Sequence, residues 1–277
     1  MVAFLTDREA NYCQSLLEEF QDDDFLPALV NTIERGGLTT ENLPFLFELR
    51  YAKSLKDRGI TPEYERNTVN ATSIDFAFTT DADTPVLAEL VSINISEAVN
   101  EATQHRVDEN GIRWSNLILC TNNGDARFSE EGEAILVQQK LCEKVFRGGQ
   151  AVKFPSPDGS ATFNVLVVDM RGFLGGNGGD NADCVQLTFG NRYVNEFARR
   201  FWTDPATNQR VPILGLFEDT NRPRGAPMLR QRVHGILFTR DTGYADGTLI
   251  GTSLLVHNPH LITNNAQLDR FRTAVWV

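Results

Sequence analysis

The stretch from Ser73 to Ile93 restricts the fold more than any other part of the sequence. It holds two apolar alternations separated by a short polar turn, Thr79 to Thr84. In Ser73 to Phe78, the residues Ile74, Phe76 and Phe78 alternate with Ser73, Asp75 and Ala77. In Pro85 to Ile93, the residues Leu87, Glu89, Val91 and Ile93 share one face. A period of two is the signature of extended chain, so the pair is predicted to form a β-hairpin. A helix then a strand are expected downstream. Ser129 is placed as an N-cap with Glu130, Glu131 and Glu133 in the first turn. Ala134, Val137, Leu141 and Val145 form a buried stripe, and Gly148-Gly149 is read as the stop near Arg147. The next strand is predicted over Phe163 to Met170. The class is α/β.

The remaining segments are arranged around that unit. Helices are predicted over Thr6 to Phe20 and Phe25 to Ile33, ended by Gly36-Gly37, and over Thr40 to Lys56 with Pro44 in the first turn. In the last of these, Glu48 falls within the stripe of Phe45, Ala52 and Leu55. Asn94 to Asn123 is polar apart from Leu117 to Cys120, which reads as a strand or an insertion. The loop Gly172 to Gly179 contains LGGNGGD but not the GxxxxGK[ST] pattern, which excludes a P-loop. A helix is expected over Arg192 to Trp202, with apolar segments at Val211 to Phe217, Val233 to Thr239 and Thr248 to Val256 extending the sheet. The 277 residues read as one domain: a helical arm over 1–37, a core over 40–170 and an extension over 171–277.

With 41% hydrophobic and 23% charged residues the chain can build a large core and is not globally disordered. No apolar run is long enough to span a bilayer, and the acidic N-terminal stretch lacks a secretory pattern, so a cytoplasmic, non-membrane protein is expected. Cys13, Cys120, Cys142 and Cys184 form no CxxC pair and read as reduced buried thiols. A net charge of -11 counts against a protein that coats nucleic acid with cations, but leaves room for a carboxylate-rich active site beside a local basic groove.

Asp75 and Glu89 carry the chemistry. Each is a carboxylate on an otherwise apolar strand, an expensive placement unless the group is paired or bound to a cation. Hairpin strands are neighbours, so the two can converge, with Glu48 as a third candidate. Oxygen ligands of this type suit Mg²⁺ or Mn²⁺, which can polarise a phosphodiester and activate water.

The ordered segments FLFELRYAKSLKDRG, TSIDFAF, VLAELVSI, EGEAILVQQKLCEKV and FNVLVVDM resemble the PD-(D/E)XK family of restriction-endonuclease-like nucleases, whose core runs α-β-β-β-α-β. The resemblance covers about Phe45 to Met170. It implies a mixed central sheet flanked by helices, with the N-terminal helices as an arm and the C-terminal strands and helices as an extension. It also implies a metal held by Asp75 and Glu89 with Glu48 in support, and hydrolysis of nucleic acid, DNA ahead of RNA. The family's lysine would stand at Val91, and valine can neither hold water nor offset negative charge. Two readings stay open. In one, the lysine has moved to the following helix, as Lys140 or Lys144, with Gln138 beside them. In the other, the site is silent and the fold serves as a binding module, such as a protein-interaction or immunity partner. An unrelated α/β fold with structural carboxylates is a third possibility, and a homodimer or another protein partner is compatible with all three.

Arg199, Arg200, Arg222, Arg224, Arg230 and Arg232 are candidates for phosphate contacts or for a solvated loop. His257 and His260 are spaced for a metal, but Pro259 stands between them.

Overall fold

The computed structural model describes residues 6–21, 23–107, 113–119, 128–157, 161–175, 178–190, 200–240, 249 and 253–275. Local chemistry sets the first elements. The Thr6 hydroxyl accepts the Glu9 amide at 3.3 Å, and Glu9 Oε2 accepts the Thr6 amide at 2.7 Å. This capping box starts α1 (Asp7–Phe20). Pro27 opens α2 (Pro27–Gly36), and Gly37, at φ 74, ends it. The first residues of the predicted third helix form a 3-10 turn, Thr40–Asn42, before α3 (Leu43–Asp57).

Three strands follow: β1 (Glu63–Asn67), β2 (Ser73–Thr79) and β3 (Pro85–Ser92). The predicted hairpin is β2–β3, paired antiparallel. β1 is an addition to the sequence reading. Its residues, Glu-Tyr-Glu-Arg-Asn, have no apolar alternation because β1 is an exposed edge of the sheet. The polar stretch after β3 holds α4 (Glu97–Ala102) and a separate two-stranded ribbon, β4 (Thr103–Val107) with β5 (Arg113–Leu117). Cys120 lies outside the described residues.

The Ser129 hydroxyl accepts the Gly132 amide at 2.9 Å and caps α5 (Glu130–Glu143). This helix is shorter than predicted. Lys144 is its C-cap, and the chain turns at once into β6 (Phe146–Arg147) and β7 (Gln150–Ala151). Gly148 and Gly149, at φ 60 and 85, are the two central residues of that tight hairpin and not a helix stop. Two positive φ values in succession are what a two-residue β-turn of the primed type demands.

β8 (Phe163–Asp169) follows as predicted. Asp180 then caps α6 (Asn181–Phe189), a helix the apolar periodicity did not reveal. Of the helix expected over Arg192 to Trp202, residues 191–199 lie outside the described residues, and Phe201 and Trp202 are extended. They belong to β9 (Phe201–Asp204), which pairs with β10 (Gln209–Pro212). The chain closes with α7 (Ala226–Arg232), β11 (Gly235–Thr239), β12 (Ser253–His257) and α8 (Asn265–Val275).

The central sheet has the order β1-β2-β3-β8-β11-β12. β3, β8 and β11 are mutually parallel, and the other neighbours are antiparallel. Helices cover both faces. On one, Phe76, Ala88, Leu90, Val165 and Val167 pack with residues of α1, α2, α3 and α8, among them Leu16, Ile33, Phe47 and Phe271. On the other, Leu87, Val91, Leu166, Val168 and Ile236 pack with Val137 and Leu141 of α5, Leu187 of α6 and Leu229 of α7. α1 and α2 are thus built into one helical layer. Among the described residues no helix is long and apolar enough to cross a membrane.

Candidate functional site

The β2–β3 ladder runs from Thr79↔Pro85 to Phe76↔Ala88 and stops there. One step further along the two strands stand Asp75 and Glu89. The strands part at this point, and Asp75 Oδ2 accepts the Leu90 amide at 2.7 Å. On the other side of β2 the ladder with β1 pairs Tyr64↔Phe76 and Arg66↔Ile74, and Glu65 between them has φ 51. β2 twists here: Ile74 belongs to the α5-side core, whereas Phe76 belongs to the α3-side core. The break opens the sheet to groups from both helical layers.

From the α3 layer comes Glu48, whose Oε2 accepts the Tyr64 hydroxyl at 2.6 Å. Burial, and then the neighbouring Asp75 charge, push the Glu48 carboxyl up to about 8. Burial and the Glu89 charge push Asp75 up to about 7, against the pull of Lys144 and the Leu90 amide. Tyr64 is raised as well, by burial and by Glu48.

From the α5 side come two lysines. Glu89 is fully buried, and its Oε1 receives Lys144 Nζ at 2.8 Å and Lys153 Nζ at 3.1 Å. Burial alone would lower the Lys144 ammonium, but the Glu89, Asp75 and Glu48 carboxylates outweigh it and leave the group raised. Among the described residues, Glu89 Oε2 is buried with no hydrogen-bond partner. A buried acceptor left unpaired costs about 1–3 kcal/mol, so this oxygen has capacity for a further partner.

Lys153 owes its place to the backbone. It holds φ 66, its amide donates to Thr72 Oγ1 at 2.9 Å, and it forms a bridge with Val69. The Asn70 amide side chain donates to the Ala151 carbonyl at 2.6 Å. The turn joining β1 and β2 thus clamps the segment after β7. The tight β6–β7 hairpin separates the two lysines in sequence, and the clamp returns the second to the same carboxylate oxygen as the first.

The structure brings Glu48, Asp75, Glu89 and Lys144 of the predicted residues together. Lys140 lies one turn earlier on α5. Burial and the Lys144 charge lower its pKa, while Glu143 and Asp169 oppose them. Gln138 is fully buried elsewhere on the helix, and its amide donates to the Leu187 and Leu214 carbonyls at 3.0 and 2.8 Å. Arg230 donates to the carbonyls of Glu218 and Thr220, and Arg232 to that of Phe154 at 2.7 Å. Arg200 pairs with Glu130 at 3.0 Å, and Arg199 lies outside the described residues. His260 Nε2 sits 2.8 Å from the Phe217 carbonyl oxygen. Cys13, Cys142 and Cys184 are buried free thiols.

Tyr64 and Lys153 are the members that sequence reasoning missed. Tyr64 sits in a charged segment without periodicity, and Lys153 in an irregular one. The one available signal was Lys153 standing between Val152 and Phe154, a charge in an apolar triplet.

Among the described residues no three His, Cys, Asp or Glu side chains converge as a ready metal cage. The donor set suits a cation that takes one or two carboxylates and fills its remaining positions with water and substrate oxygens, as Mg²⁺ does. The unpartnered Glu89 Oε2 is the atom it would satisfy. No family model, curated protein or solved structure matches the chain.

Proposed function

We propose that the protein is a divalent-metal-dependent phosphodiesterase acting on nucleic acid, a nuclease of the restriction-endonuclease-like type. One observation carries this reading: Glu89 is buried with two ammonium groups on Oε1 and, among the described residues, no partner on Oε2. Two further points support it. With α4, the β4–β5 ribbon and the β6–β7 hairpin taken as insertions, the order α3-β1-β2-β3-α5-β8, with three antiparallel strands and a fourth parallel to β3, fits the α-β-β-β-α-β core of that family. The lysine missing at Val91 has two substitutes, because Val91 is buried against the α5 layer while Lys144 and Lys153 reach Glu89 from outside the strand.

Glu89 Oε2 and Asp75 would hold Mg²⁺ or Mn²⁺. When bound, the cation supplies Lewis-acid polarisation of a phosphodiester oxygen and a lowered pKa for its water. The protein's groups do the rest. The Leu90 amide fixes the Asp75 carboxylate through one oxygen and so orients the other. Lys144 and Lys153 fix the rotamer of Glu89. Their side chains are partly exposed, at 28% and 18%, and their ammonium groups also stand where negative charge on a phosphoryl group needs offsetting. Glu48, with its raised pKa and its Tyr64 partner, is placed to hold or release a proton beside Asp75.

The test is cleavage of plasmid and single-stranded DNA, and of RNA, with Mg²⁺ or Mn²⁺. Asp75→Asn and Glu89→Gln are each expected to lower the rate by at least about a hundredfold, the size of effect seen when an electrostatic stabiliser is removed. Undiminished cleavage in both variants would refute the assignment. A catalytically silent binding module, the reading favoured by the net charge of -11, requires that no metal-dependent cleavage and no metal-dependent thermal shift occur.

A further inference from the structure

A cavity of about 800 Å³ lies against α5. Ile135, Gln139 and Glu143, with Gln138 beside them, form its α5 wall. That row is turned about 100° around the helix axis from the Lys140–Lys144 row, because successive residues advance by that angle. None of Glu48, Asp75, Glu89, Lys144 or Lys153 lines it. The other walls are the β6–β7 hairpin, the β9–β10 hairpin and the loop from Thr220 to Arg224.

The lining combines three kinds of group. Trp202 and Phe146 offer aromatic surface, with the Arg224 guanidinium 5.7 Å from the Phe146 ring centre. Arg147, Arg222 and Arg224 are exposed guanidinium groups. Gln139, Glu143 and Asp204 supply amide and carboxylate acceptors. Asp204 is partly committed, since Oδ1 takes the Ala206 amide at 2.9 Å and Oδ2 stands 3.8 Å from Arg222 Nη1. Among the described lining residues, three arginines against two carboxylates make the cavity locally positive in a chain whose net charge is -11. This local reversal of sign selects an anion, and the aromatic walls select one that carries a flat ring.

We propose that this cavity is a binding site for a nucleoside phosphate. The base lies against Trp202 and Phe146, its polar edge meets Gln139 and Glu143, and the phosphates are held by Arg147, Arg222 and Arg224. Aromatic stacking suits any base, and arginine forks suit phosphate oxygens. The volume lies in the range of sites that bury one small ligand, and walls on four sides favour a single nucleotide over a strand passing through. The proposal does not depend on the nuclease reading.

Calorimetric titration of the full chain with ATP, GTP, CTP and UTP in EDTA tests it without engaging the metal-binding carboxylates. At least one nucleotide is expected to bind, with inorganic triphosphate and the free nucleoside each at least about tenfold weaker. Trp202→Ala and Arg224→Ala should each weaken binding by about tenfold, Trp202→Phe should retain most of it, and Asp75→Asn and Glu89→Gln should leave it unchanged. Arg147→Ala, which alters an exposed side chain, gives a second measure that does not touch the core. The proposal fails if none of the four binds at about 1 mM, if inorganic triphosphate binds as tightly as the nucleotides, if an oligothymidylate displaces them at lower concentration, or if the arginine and tryptophan variants bind normally. Cleavage with Mg²⁺ is measured separately, so a failed cavity and a failed nuclease give different results.

Discussion

Glu48 and Asp75 keep their protons at pH values where ordinary carboxyl groups have lost them. From the ordinary 4.5 and 3.8 of a free glutamate and aspartate, they rise to about 8 and about 7 in the folded chain. Between about pH 4 and pH 8 the folded form therefore binds more protons than the unfolded chain. The stability associated with those protons is fully present below about pH 4 and is lost as pH rises through 7 to 8. Thermal unfolding in metal-free buffer is expected to show a midpoint that falls over this range, with a flatter profile in Glu48→Gln. Mg²⁺ at the proposed site would displace the Asp75 proton, so its affinity should tighten by up to about tenfold per pH unit as pH approaches 7 and level off above it, measurable by calorimetry. A pH-independent affinity would show that the cation binds elsewhere. The lysines give a second residue-scale prediction. Lys144→Met alone should lower stability by about 1 kcal/mol, because Lys153 still serves Glu89. The double variant with Lys153→Met should lose about 3 kcal/mol in urea denaturation, because a buried carboxylate is then left without a counterion. Asp75 and Glu89 were legible in the sequence because a charge on an apolar strand breaks a pattern. Lys144 was legible because it keeps helical spacing. Tyr64 and Lys153 were not, since long-range backbone pairing places them and no local periodicity records it.

At the scale of elements, the clamp between the β1–β2 turn and the segment after β7 holds the second lysine. Thr72→Val removes the hydroxyl that accepts the Lys153 amide and donates to the Val69 carbonyl at 2.7 Å. A loss of about 1 kcal/mol is expected for each hydrogen bond removed. The proposed cleavage should fall more than folding does, because φ 66 at Lys153 persists only while its surroundings enforce it. Comparing rates with circular-dichroism melts at the assay temperature separates the two effects. The same region shows where element boundaries escaped the sequence. Gly148-Gly149 fits both a helix terminus and a two-residue hairpin turn, and the Phe146↔Ala151 pairing decides between them. Helices α6, α7 and α8 were missed because they are short or bear mixed faces, and their positions follow from the sheet they cover. The β2–β3 hairpin and β8 were legible because apolar strands bounded by polar turns leave little choice of register.

The whole molecule joins its N-terminal helices to the sheet through a mostly buried ion pair. Arg171 Nη2 meets Glu9 Oε1 at 2.8 Å just past the end of β8, while Glu9 Oε2 closes the cap of α1. Arg171→Ala is expected to cost about 3 kcal/mol, and α1 should show the largest rise in amide hydrogen exchange. Equal protection of α1 in both proteins would show that apolar packing alone holds it. The outer margin at β1 has a consequence of its own. A foreign strand trying to lengthen the sheet there meets Glu63, Glu65 and Arg66 and a backbone that leaves the extended path at Glu65. Charge and a bend on an open border discourage neighbouring molecules from zipping together, so fibril growth has no template on this side until those charges are removed.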